Sequence, residues 1–166
     1  VALAGDLGLT TSLGDMTLGM YSGTAHAWSV DELACPTFLA LPTEISFGTG
    51  GTQVLSMRAD PGLAANLYIV LGSVSGTSPG LPAGLFLMPL NVDAYFFYTL
   101  RTPGLPPLSG QFGSVPVDGA KRVTFTLPSG LSGSLAGITF NHAWVVFDIN
   151  VITLAVSDPA AVLITP

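Results

Sequence analysis

The sequence predicts an all-β protein: a β-sandwich, Ig-like or jelly-roll-like, preceded by an extended N-terminal arm. Three observations predict it. Twenty Gly and 13 Pro interrupt the chain at short intervals, so a 3.6-residue apolar period never has room to run. Between the breaks lie short β-branched and aromatic runs, the residues that fit a pleated, half-buried surface. Nine such runs fall within about 130 residues, an inventory the size of a two-sheet sandwich.

The arm is residues 1–36. Leu7 and Leu9 alternate with Gly8 and Thr10, and Met16, Leu18 and Met20 alternate with Thr17 and Gly19. Period 2 marks a half-buried strand. Leu-Gly recurs at Leu7-Gly8, Leu13-Gly14 and Leu18-Gly19. Thr11, Ser12 and Gly14-Asp15 suit a hairpin, and two separate extended strands fit the same pattern. Trp28, ahead of the acidic pair Asp31-Glu32, is expected to anchor the arm, and residues 30–34 suit one helical turn.

Residues 37–166 are the sandwich domain. Strands are expected at 44–47, 52–58, 66–71, 95–101, 111–114, 122–127, 138–148, 151–157 and 162–165. Gly48 to Gly51 reads as a turn between two strands, and 72–80 as a long polar loop. The prolines of 102–107 forbid a central strand there. In 122–127, Val123, Phe125 and Leu127 share one side, with Arg122, Thr124 and Thr126 on the other, as two facing sheets require.

Composition narrows the function. Apolar residues make up 49% of the chain and charged residues 8%, against roughly 25% charged in an ordinary soluble domain. Mean hydropathy is +0.63. A folded monomer of 17.0 kDa exposes roughly 7,700 Å². Fourteen charged residues then give one per ~550 Å², so something is expected to cover part of the surface. The net charge is −6, and the cations are only Arg58, Arg101, Lys121 and Arg122. That excludes a nucleic-acid partner, which needs clustered Lys and Arg, and a basic membrane-surface helix. No apolar run approaches the ~18–20 residues of a membrane helix, so no membrane insertion is expected. Cys35 is the single cysteine: no intrachain disulfide or Cys-based zinc site can form, and a free or interchain-paired thiol stays open. The start VALAGDLG, without Met, fits a processed N-terminus or a trimmed one. Scarce Lys with abundant Thr, Ser and Gly suits an exported protein, extracellular or at the cell surface.

The stretches GTGGTQVLSMRA, NLYIVLGSVSGTSPG, MPLNVDAYFFYTL, GITFNHAWVVFD and AVSDPAAVLITP follow in that order. The most specific pieces are Gly76-Thr77-Ser78-Pro79-Gly80, Pro89-Leu90-Asn91-Val92-Asp93 and Asn141-His142-Ala143-Trp144. From about Thr43 to Pro166 the chain resembles an uncharacterised β-rich domain found toward the C-terminus of secreted and surface proteins of planctomycete-type bacteria. The resemblance implies an extracellular β-sandwich and no particular chemistry. The arm lies outside it.

Residues able to carry chemistry are few. His26 and His142 are the only histidines, and no Gly-x-Ser-x-Gly elbow is present. His142 shares a strand face with Phe140, Trp144 and Val146, which favours a packed core histidine over a catalytic one. Acids are scattered singly, and Asp60-Pro61-Gly62, Asp118-Gly119 and Asp158-Pro159 read as turns rather than as paired carboxylates. Asp93 (in Asn91-Val92-Asp93), Asp148 and Asn150 are weak calcium candidates; a loop anchor at Asp93 and a turn at Asp148 are the plainer readings. Phosphate-loop, dinucleotide and zinc spacings and N-glycosylation sequons are all missing. No catalytic residue, resident metal or cofactor is expected. In Tyr95-Phe96-Phe97-Tyr98, read as a strand, Tyr95 and Phe97 face one way and Phe96 and Tyr98 the other. One pair is expected in the core, and the outward pair is read as ordinary partial burial, a protein interface or a glycan contact, with Tyr95 and Phe97 the candidates for such a contact.

These readings converge on a non-enzymatic extracellular structural subunit. It would self-assemble with copies of itself into a filament, sheath or surface lattice. Leu7, Leu9, Leu13, Met16, Leu18, Met20 and Trp28 would form the assembly arm. The alternative is a secreted carbohydrate-binding or adhesion module with an extracellular polysaccharide as partner.

Overall fold

The computed structural model describes residues 37–166 apart from residue 132. They belong to the unit Pro36–Pro166. The arm residues Leu7, Leu9, Leu13, Met16, Leu18, Met20 and Trp28 lie outside the described residues, as do His26 and Cys35.

The strands are β1 (Thr37–Leu41), β2 (Glu44–Ser46), β3 (Gly51–Arg58), β4 (Leu67–Ser73), β5 (Leu81–Ala83) and β6 (Phe86–Met88). After helix α1 (Ala94–Arg101) come β7 (Leu108–Ser109), β8 (Phe112–Ser114), β9 (Ala120–Leu127), β10 (Thr139–Phe147), β11 (Thr153–Val156) and β12 (Ala160–Thr165). One sheet has the order β1-β3-β9-β7. The other has the order β2-β12-β10-β4-β8, with β11 also paired to β10. β5 and β6 form a separate hairpin. All pairs are antiparallel except β2–β12. The fold is therefore all-β and sandwich-like, as the sequence predicts.

The core between the sheets follows the period-2 pattern. Leu55 and Met57 of β3 and Val123, Phe125 and Leu127 of β9 meet Tyr68, Val70, Trp144, Val146, Val162 and Ile164 of the facing sheet. Each such large side chain contributes roughly 1.5–3 kcal/mol by leaving water. β4 and β10 are buried on both faces. Their alternate residues Ile69, Leu71, Ala143 and Val145 form a second cluster with Met88, Leu90 and Phe96. That is why Leu67 to Leu71 of β4 and Ala143 to Phe147 of β10 read as unbroken apolar runs in sequence, without polar alternation. Gln53 is fully buried, and its amide bridges the sheets by donating to Pro42 O at 2.8 Å and Ala161 O at 3.0 Å.

The Gly48 to Gly51 turn joins two strands, as expected, and carries the chain from one sheet to the other. Gly50 has φ +71°, and a Cβ there would come within 2.6 Å of Leu127 O and of Ser129 N. Only glycine fits.

The expected strand at 95–101 is instead the helix α1. The Asp93 carboxylate caps it, Oδ1 accepting from Phe96 N at 2.8 Å, and Arg101 occupies the last turn. Aromatic strand propensity lost to the cap and to tertiary demand. β8 pairs with Leu67 to Ile69 only, so the edge of β4 beyond it needs partners. Thr99 Oγ1 accepts from Gly72 N at 3.0 Å, and the buried Gln111 amide donates to Val70 O and Thr99 O. The helix thus closes a sheet edge. The other eight expected strands are present. The expected loop at 72–80 is shorter at its start, because Gly72 and Ser73 belong to β4. Strands β1, β5, β6 and β7 are additions. β5 contains Pro82, which a two-stranded hairpin tolerates.

Candidate functional site

Tyr95 and Phe97 do not share a face. In the helix, Tyr95 turns inward and is half-buried, whereas Phe97 is 42% exposed with the Arg101 guanidinium 5.1 Å from its ring centre. The Tyr95 ring takes the space that a side chain on Gly72 would fill: a Cβ there would lie 2.2 Å from Tyr95 Cε1. Gly72 is the cross-strand partner of His142, so the ring arrives beside the imidazole. Tyr95 Oη and His142 Nε2 are 3.1 Å apart, and Phe140 and Phe125 pack around the pair. Burial, with smaller contributions from Tyr98 and Asp93, pushes the Tyr95 phenol up. Burial alone pushes His142 down from 6.5 to about 3, so it is neutral at ordinary pH. His142 is fully buried, and Nδ1 has no hydrogen-bond partner. It is a packed core histidine on the face shared with Trp144 and Val146.

Asp93 anchors a loop as well as the helix. Its Oδ2 accepts from Ser73 Oγ at 2.9 Å and from Val74 N, Ser75 N and Ser75 Oγ, each at 2.8 Å. Burial opposes ionisation, but the bonds from Phe96, Ser75 and Val74 overcome it and hold the carboxyl at about 2. Asn91 completes the clamp. Its amide donates to Ser75 O at 2.9 Å and Ser78 O at 2.8 Å, and its Oδ1 accepts from Gly80 N at 3.1 Å. Both carboxylate oxygens of Asp93 are thus already occupied by donors.

Asp148 organises the β10–β11 turn. Its Oδ1 accepts from Asn150 N and Ile152 N, and its Oδ2 from Asn150 Nδ2. The bond from Ile152, then those from Asn150, lower the Asp148 carboxyl pKa. The three calcium candidates are not brought together: Asp93 caps α1, while Asp148 and Asn150 share a separate turn. Among the described residues, no group of three or more His, Cys, Asp or Glu converges. Asp60 and Asp118 make turns, accepting from Gly62 N and Ala120 N.

The most available surface is an edge. β1 pairs only with β3 among the described residues, and its outward Leu39 and Leu41 are 65% and 70% exposed. The other edge strands of the two sheets are shorter: β7, β2 and β8 have two or three residues, and β11, paired only to β10, has four. Sequence reasoning missed β1, although the signal was there: Thr37 followed by a four-residue apolar run, Phe38 to Leu41, between Pro36 and Pro42.

No family model and no curated protein sequence matches this chain.

Proposed function

We propose that the chain is an extracellular structural subunit, without enzymatic activity, that assembles with copies of itself by strand addition. The observation that carries this reading is the contrast between two sheet edges. Beyond β8, the edge of β4 is closed by α1 through Thr99 and by Gln111, whereas β1 offers five residues with no second partner among the described residues. An open, apolar edge without lysine is a template for another strand, with main-chain bonds giving affinity and alternate side chains giving register. The period-2 arm, with Leu7, Leu9, Met16, Leu18 and Met20, has the pattern such a template takes from a neighbouring copy. The low charge density gives the assembly its motive, and the resemblance to surface-protein domains of planctomycete-type bacteria supports an extracellular reading.

Deletion of residues 1–23 tests the reading by electron microscopy of the full-length and truncated chains. The full chain is expected to form regular polymers and the truncated chain none. Identical polymers from the truncated chain would overturn it.

A further inference from the structure

Three of the four cations of this acidic chain gather in one place. Arg58, Lys121 and Arg122 line a cleft of about 460 Å³ on β3 and β9, the two arginines on the outer face of the four-stranded sheet and Lys121 on the opposite face of β9, the side of Val123. Register explains how it forms. Arg58 on β3 stands opposite Ala120 on β9, and Arg122 on β9 stands opposite Ser56 on β3. The two arginines are therefore diagonal neighbours on one face, with Cα atoms about 7–8 Å apart. Each has a small residue as its direct partner, so Ser56 and Ala120 make a floor between two guanidinium groups. Leu39, opposite Ser56 on the other side, makes an apolar wall. None of the three cations has an ion-pair partner among the described residues. Asp60 and Asp118 occupy adjacent turns, but each carboxylate accepts from a backbone N–H instead. Arg101, the remaining cation, lies over Phe97.

We propose that this cleft binds an anionic polysaccharide through its carboxylate or sulfate groups. Two planar forks on one shelf suit such oxyanions, and the Ser56 hydroxyl adds a short donor beside them. The volume suits one or two sugar rings, and Leu39 offers a surface for the apolar face of a ring. The placement argues against an acidic peptide. A peptide strand gains most of its affinity from main-chain bonds along a sheet edge, whereas Arg122 stands two strands in from β1, about 10 Å across the face. A ligand reaching both arginines lies on the outer face. Elsewhere the net negative charge repels polyanions, so binding is confined to this shelf.

The test uses the labelled full chain on four immobilised polymers: polygalacturonate, chondroitin sulfate, neutral dextran and poly-glutamate. Retention is expected on one or both of the first two, stronger at low salt. The carboxylated and sulfated supports show which oxyanion is preferred. The double substitution Arg58→Gln with Arg122→Gln is expected to weaken retention roughly tenfold or more, with an unchanged thermal melt. Arg101→Gln is expected to bind as the parent does. Retention on neither polysaccharide, equal retention on dextran, stronger retention on poly-glutamate, or retention untouched by the double substitution would each overturn the proposal.

Discussion

Asp93 and His142 titrate in different windows, and both make the fold acid-sensitive. His142 lies at about 3 in the folded chain against an ordinary 6.5. Below pH 6.5 the unfolded chain takes up a proton that the folded chain refuses. The stability tied to a neutral His142 is therefore complete above that pH. It falls by about 1.4 kcal/mol per unit as the pH drops toward 3. Asp93 lies at about 2 against 3.8, so its contribution is present above 3.8 and is lost as pH falls toward 2. Between about pH 6.5 and 4 the slope belongs mainly to the histidine. Urea unfolding across that window is expected to show a steadily falling midpoint in the parent and a flatter line in His142→Gln. Equal slopes in the two proteins would mean that the imidazole does not set the dependence.

At the scale of elements, the loop between β4 and β5 is held by two side chains from the segment that starts α1. Asn91 donates to two loop carbonyls, Ser75 O and Ser78 O. Asn91→Ala removes those bonds and adds nothing unfavourable. Asn91→Asp keeps the shape but turns a donor into a carboxylate facing two carbonyl oxygens, two residues from Asp93. Asn91→Asp is thus expected to cost about 1–3 kcal/mol and to exceed Asn91→Ala. Faster amide exchange in residues 74–80 reads out the loosened loop, and equal behaviour of the two variants would show that the amide donors matter little. The Asn-x-Asp pair was visible in sequence and its anchoring role was the plainer reading there. What it anchors was not visible, because Ser73 and Ser75 lie about twenty residues upstream. The helix was illegible for a related reason. Tyr95-Phe96-Phe97-Tyr98 has strand-forming side chains, and its cap is a single Asp without the Glu or Gln of a capping box. The strands of the two cores were legible because burial imposes period 2 or an unbroken apolar run. The cationic cleft depends on the register of β3 with β9, more than sixty residues apart in sequence, which no local pattern encodes.

At the scale of the whole molecule, an apolar chain with few charges has placed them unevenly. The outer face of the four-stranded sheet holds the arginine shelf, and the β1 edge beside it holds Leu39 and Leu41 without any charge of its own. Natural edges are commonly blunted by lysine, and this one is not. Strand addition at β1 uses backbone along the edge, whereas a polyanion uses side chains on the face, so the two surfaces can be occupied together. Leu41→Lys separates them. The side chain is 70% exposed and lies outside the cleft, so the folded state is expected to change by no more than about 0.5 kcal/mol. A lysine at that position opposes strand addition, and polymers are expected to become sparse or vanish. Retention on polygalacturonate is expected to persist, because Arg58 and Arg122 are untouched. Polymers of unchanged length and number from Leu41→Lys would show that assembly does not run through the β1 edge. The acceptor strand would then have to be sought elsewhere on the chain.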